Sequence, residues 1–304
     1  MPFIDTKQLR YKHLKKQTFL TSKNNTVKNE IFIALDDFES PNALARYGAH
    51  LAKDLGRNAF LYGVTRIPLY TPPVIMTDNN LGNSVALQMK ELKLNAENKI
   101  QTVSSDIAAI CPDVQYDIGI GLAETTILSK IKKQDPYMFV LKGSNELTNL
   151  NEWFGTYETR LAEKTNVPAL VVPENYTWTP INKILYIMDL DDQKVENMRF
   201  LTELSKSLNA RLEVVTLTDG DINKDDERYL NMVNVFQALL GYMDIAFHRI
   251  FVKEPTNTIT KIMEESNINM LAFESKSRSF LERMMDDYNT KHLILQSDQP
   301  VLVF

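Results

Sequence analysis

The sequence predicts an α/β protein of two tandem three-layer α/β/α domains, each a five-stranded, mainly parallel sheet. Three observations predict it. Short apolar runs alternate with amphipathic helical segments, and parallel strands require such crossover connections. The alternation halts at Pro173-Glu-Asn-Tyr-Thr-Trp-Thr-Pro180, rich in Pro and Thr, and then restarts. The second series repeats the landmarks of the first at a period near half the chain, too long for a solenoid.

In the first half, Ile31-Phe-Ile-Ala-Leu35 is a strand ending at Asp36-Asp37. Ser40-Pro41 offers a helix N-cap and a first-turn proline. Leu44, Tyr47, Leu51, Ala52 and Leu55 share one helical face, and Gly56 suits a left-handed stop. Ala59 to Val64 is the second strand, followed by a Pro-rich loop. A long helix from about Ser84 to Ile110 follows, with Leu87, Leu94, Ile100, Val103 and Ile107 expected on its buried side. Val114 to Ile118 is a strand, and Ala123 to Lys133 a helix with Ile127, Leu128 and Ile131 inward. Tyr137 to Leu141, a helix from Glu152 to Lys164 and Pro168 to Val172 complete the unit.

The second half opens with Lys183 to Met188 and Asp189, matching the position of Asp36. Its first helix carries Val195, Met198, Leu201, Leu204 and Leu208 and ends at Asn209, where Gly56 stood. Leu212 to Leu217, a helix from Asp225 to Tyr242, Ala246 to Val252, a helix from Thr258 to Ser266, Asn269 to Phe273 and Pro300 to Phe304 complete it.

Charge and cysteine content bound the function. The net charge of −5 is uneven: residues 1–29 carry seven Lys/Arg against Asp5, a net +6, so the remainder carries −11. An acidic body disfavours general nucleic-acid binding, which needs a basic face. Residues 1–29 read as a solvated basic extension, with contact to an anionic membrane or partner as the alternative. The single Cys111 excludes an intramolecular disulfide and suits a reducing cytoplasm. No stretch has the apolar length of a membrane span, and no apolar signal run opens the chain.

Each half has a strand ending in Asp, a loop of basic and polar residues after the fourth strand, and a Pro-aliphatic final strand. The first half adds Gly155-Thr156. Together these resemble the universal stress protein family over roughly residues 30–304, once per half. The resemblance implies a strand order of 3-2-1-4-5 (adenine nucleotide alpha hydrolase-like). It also implies domains at 30–173 and 182–304 joined by a linker at 174–181. The fifth strands should pair, Ala169–Val172 beside Val301–Phe304, making an intramolecular pseudo-dimer, with further homodimerisation left open.

Many members of that family bind ATP through a loop of pattern G-x2-G-x9-G-[S/T]. Counted back from the final strand, its positions fall here at Lys142, Asn145, Gly155 and Thr156. Glycine lets a backbone nest approach phosphate closely; Asn145 is the best substitute, and Lys142 brings a cation. The implied site, for ATP in the first half only, is Asp36, Val64, Lys142, Asn145, Gly155 and Thr156. In the second half the positions are Glu274, Ser277, Asp287 and Tyr288, and two carboxylates there would repel a triphosphate.

Rival chemistry is weaker. Ile118-Gly-Ile-Gly-Leu-Ala-Glu124 has Glu124 where a dinucleotide fingerprint needs its third glycine, and reads as a tight strand-to-helix turn. Asp36, Asp37, Asp189, Asp191 and Asp192 at strand ends could hold Mg²⁺ or serve as helix-start charges. His13, His50, His248 and His292 have no metal-ligand spacing. Trp153, Phe154, Phe280, Met284 and Met285 read as packing.

The expectation is a cytoplasmic, non-enzymatic stress-response regulatory or binding module with degenerate ATP loops. Its partner would be an unknown protein or small molecule, without nucleic acid or a membrane span. The alternatives are a weak ATP sensor acting through the first domain alone and, last, a nucleotide hydrolase.

Overall fold

The computed structural model describes residues 29–35, 41–66, 81–143, 157–174, 176–189, 194–218, 222–240, 245–251, 267–274 and 299–304. In the first half these form β1 (Glu30–Leu35), α1 (Pro41–Asp54), β2 (Asn58–Thr65), α2 (Leu81–Ile107), β3 (Gln115–Ile120), α3 (Ala123–Gln134), β4 (Met138–Lys142), α4 (Tyr157–Thr165) and β5 (Ala169–Val172). The second half holds β6 (Lys183–Asp189), α5 (Val195–Leu208), β7 (Arg211–Thr218), α6 (Ile222–Leu240), β8 (Ile245–Phe251), β9 (Met270–Phe273) and β10 (Val301–Val303). The helix expected over 258–266 and the start of the one expected from Glu152 lie outside the described residues.

Among the described residues ten strands join one sheet in the order β3-β2-β1-β4-β5-β10-β9-β6-β7-β8. Each half therefore has the 3-2-1-4-5 order, and within each half every pairing is parallel. The halves meet where β5 and β10 pair antiparallel, Leu170 opposite Leu302. That contact is the one the family resemblance implies.

The repeat is legible in single hydrogen bonds. Asn58 N–H donates to Asn29 O and Tyr137 N–H to Glu30 O; in the second half Arg211 N–H donates to Asn182 O and Asn269 N–H to Lys183 O. Residues 29–65 thus correspond to 182–218 without a gap. Both first helices stop the same way, on a left-handed residue, Gly56 at φ 62° and Asn209 at φ 52°. There Arg57 N–H reaches back to Ala52 O, and Ala210 N–H to Ser205 O. At the other end of the unit, Phe139 N–H donates to Pro168 O and Leu271 N–H to Pro300 O. Phe139–Lys142 therefore match Leu271–Glu274.

Strand alternation divides the core into two layers, each continuous through both halves. Ile31, Ile33, Val140, Ile184 and Tyr186 pack with α1, α2, α5 and α6; Phe32, Tyr62, Phe139, Leu185 and Leu271 lie on the opposite face. Gly48 is required for the approach of α1 to β1, since a Cβ there would lie 2.5 Å from the Ile33 side chain. Most expected inward positions are buried, including Leu44, Tyr47, Leu51, Ile127 and Ile131. Leu87, Leu94 and Val195 are not: they are 61%, 54% and 43% exposed. The buried stripe of α2 is Ala96, Ile100, Val103 and Ile107. At 100° per residue Leu87 lies half a turn away from Ala96, so an apolar residue there faces out. Val195 opens α5, and a run of three-residue steps drifts off the stripe centred on Leu201.

The stretch between the halves packs rather than dangles. Trp178 stacks on His50 at 5.6 Å and meets Tyr47 edge-on at 4.9 Å, while Ile181 is buried. The Tyr176 hydroxyl donates to Gln299 Oε1 at 3.0 Å, tying this stretch to the residue before Pro300 and β10. Across the junction, Arg57 lies 3.5 Å above the Tyr137 ring and bonds Glu203 of α5 at 3.0 Å.

Leu302→Asp should cost about 4 kcal/mol in urea denaturation, because both Leu302 and its partner Leu170 are fully buried. Unchanged stability would contradict the central pairing. Trp178→Ala should cost about 1–2 kcal/mol through lost aromatic contacts, read in the same titration.

Candidate functional site

Parallel strands bring their C-terminal ends to one edge, where open α/β sheets take ligands. In the first half β1 lies between β2 and β4, so the C-terminal ends of β1, β2 and β4 converge. Of the six expected ATP-site residues, Val64 and Lys142 are described; Asp36, Asn145, Gly155 and Thr156 lie outside the described residues. Val64 is buried in the layer beneath α3 and α4. Lys142 continues the alternation of Met138 and Val140 and projects to the opposite, α1–α2 face. The two side chains are therefore not brought together. A ligand over this edge could meet the Lys142 side chain but only the backbone of Val64.

The Lys142 cation is engaged within the chain. Its Nζ bonds Glu174 Oε1 at 3.3 Å, just beyond β5. The adjoining Gly143 N–H donates to Val172 O at 2.8 Å, and a Cβ at Gly143 would come within 3.1 Å of Val171. Gly143 thus serves the close seam between β4 and β5.

The second half replaces this arrangement. Glu274, the counterpart of Lys142, is buried at the end of β9. Its Oε1 accepts from the Tyr186 hydroxyl at 2.9 Å and the Asn197 amide at 3.0 Å; its Oε2 pairs with Lys194 Nζ at 2.6 Å. A carboxylate at the strand-end edge, already satisfied by three donors, takes up the Lys194 cation and the donors that a phosphate there would need. Ser277, Asp287 and Tyr288 lie outside the described residues, as do Asp37, Asp191 and Asp192. The partners of Glu274 are missed by motif reading. The signal for them is in the repeat: Tyr186, Lys194 and Asn197 stand where the first half has Ile33, Pro41 and Leu44.

The Gly-Ile-Gly stretch closes β3 and turns into α3 at Gly121. Gly121 at φ 144° donates its N–H to Thr65 O, and only two residues separate β3 from α3. Gly119 has no room for a side chain, since a Cβ would meet the Tyr62 hydroxyl at 2.4 Å. Glu124 joins helices: it takes two bonds from Arg160 and one from Lys164 of α4. The bonds from Arg160 and then Lys164 hold its carboxyl below the usual glutamate range. For Asp117 on the edge strand the upward push of burial is the largest single effect, but bonds from Lys130 and the Ile118 N–H and the nearby lysine charges together hold its carboxyl below the usual aspartate range.

His50 belongs to the Trp178 stack, and burial lowers its basicity. His248 lies 3.2 Å from Glu213, a carboxylate buried within β7 where the first half has Phe60. Among the described residues no group of three or more His, Cys, Asp or Glu could hold a metal ion. No described helix is long and apolar enough to cross a membrane.

Because Glu124 is more acidic folded than unfolded, its contribution is complete above the unfolded pKa and lost as pH falls through the folded one. Glu124→Gln should therefore lower stability at neutral pH and flatten its decline below about pH 5. An unchanged acid profile in urea titrations would contradict these ion pairs.

Compared by sequence, the chain matches no family model and no curated protein. Compared by structure, it is similar to a universal stress protein from Archaeoglobus fulgidus DSM 4304. That match has a TM-score of 0.62 and 13% identity, covering 91% of this chain and 96% of the other. It is also similar to a putative universal stress protein from Pseudomonas aeruginosa UCBPP-PA14, with a TM-score of 0.50 and 14% identity, covering 91% and 93%. Two units of 3-2-1-4-5 order joined through their fifth strands, together with these matches, show that the chain has the fold of the universal stress proteins, repeated twice.

Proposed function

We propose that the chain is a tandem universal stress protein acting as a non-enzymatic binding module of the cytoplasm, with domains at 30–173 and 182–304 around a linker at 174–181. The observation that carries this reading is Glu274. Its buried carboxylate, satisfied by Tyr186, Lys194 and Asn197, occupies the second half's strand-end edge and disfavours a nucleotide there. Loss of the loop glycines at Lys142, Asn145, Glu274, Ser277 and Asp287 supports the same conclusion, since a side chain keeps a backbone nest from closing on phosphate. Stress-response regulation would then work through a protein or small-molecule partner.

A second reading, a weak adenine-nucleotide sensor through the first half alone, is favoured by Lys142 at the end of β4. In that reading Lys142 exchanges Glu174 for a phosphate, and Asn145, Gly155 and Thr156 complete the cradle, with Asp36 and the Val64 backbone on the adenosine side.

Equilibrium dialysis with Mg-ATP separates these readings by stoichiometry. The proposal expects no ATP bound; one weakly held ATP per chain that Gly155→Asp removes would favour the second reading. Two ATP per chain would overturn the reading of the second half, and sustained hydrolysis would overturn the non-enzymatic one.

A further inference from the structure

Glu274 does more than obstruct. A buried carboxylate persists only when its oxygens are satisfied, and removing a partner from such a cluster is costly. Here the side chain of Glu274 is 4% exposed, and it draws one donor from β6 and two from the start of α5. Lys194 is the N-cap residue of α5, with extended backbone and no side-chain cap bond. Its ammonium is directed to Glu274 instead. The first-half counterparts of these four residues, Ile33, Pro41, Leu44 and Lys142, cannot make such a cluster. All four positions differ together, as a binding site and its ligand would.

The cluster also lies where a ligand is expected, at the joined C-terminal ends of β6 and β9 and the N-terminus of a 14-residue helix. We infer that Glu274 is an internal ligand, a carboxylate supplied by the chain itself that fills a small-anion site built from Tyr186, Lys194 and Asn197. The second half is self-liganded and needs no external anion, so any response to an anionic ligand falls on the first half. The inference rests on the reading that the second half binds no nucleotide, and it names what takes the nucleotide's place.

Truncation to alanine removes atoms equivalent to acetate, which gives a direct test in the full chain. Glu274→Ala should melt below the parent protein, and acetate, but not chloride at equal ionic strength, should raise its Tm by several degrees. The parent protein and Glu274→Gln should show no acetate-specific gain. Adding Lys194→Met to Glu274→Ala should abolish the effect. If Glu274→Ala does not fold alone, refolding from urea reads the same property, with folded protein recovered in acetate and not in chloride. No acetate-specific gain in either Tm or refolding yield, or an equal gain in the parent protein, overturns the inference. ATP stoichiometry is unaffected by that outcome, so the two failures are distinguishable.

Discussion

A five-stranded sheet of order 3-2-1-4-5 leaves its fifth strand as an open edge with unpaired N–H and C=O groups. The four residues of β5 and the three of β10 are almost wholly apolar and fully buried, so neither could stand alone at a wet edge. Pairing them antiparallel satisfies both edges at once and puts Leu170 and Leu302 at the centre of a ten-stranded sheet. The rest of the junction follows from that pairing. Phe200 stacks on Tyr137, Arg57 reaches Glu203, and Tyr176 holds Gln299 beside β10. These contacts are not mirrored across the junction: the first half presents Tyr47 and His50 to Trp178, while their counterparts Phe200 and Glu203 meet Tyr137 and Arg57. Two similar surfaces have become complementary rather than identical.

Much of the fold was legible in the sequence because strand alternation and helix stops are local. Ile31–Leu35, Tyr137–Leu141 and Lys183–Met188 declare themselves by apolar runs, and Gly56 and Asn209 by the left-handed angle each helix end requires. Pairing of the fifth strands came from the family resemblance and not from a local pattern, since each half also leaves its third strand at an edge. The phase of α2 was less legible. Leucines at Leu87 and Leu94 suggest one face, whereas Ala96 fixes another, and small residues at close helix–sheet contacts give little hydrophobic signal. The candidate site was legible only at its landmarks. Counting placed Lys142 and Glu274 at equivalent strand ends, which the hydrogen-bond register bears out. It could not show that Lys142 and Val64 project to opposite faces, nor that Lys142 is taken up by Glu174.

Sequence comparison finds no match while the fold is shared at 13% identity, and the physics of the sheet accounts for the gap. A parallel strand buried on both faces asks for apolar side chains of suitable volume and little else, so β1, β4, β6 and β9 can change residue by residue and keep their register. The two halves differ at the strand-end edge: β4 ends in Lys142, paired with Glu174, and the equivalent Glu274 is held by Tyr186, Lys194 and Asn197.

The continuity of the sheet through its centre is tested most directly by native-state hydrogen exchange resolved to short segments. Amides of 169–172 and 301–303 should exchange as slowly as those of β1 and β6, since β5 and β10 lie inside the sheet. Exchange as fast as that of the true edges, β3 and β8, would contradict the pairing on which the two halves depend.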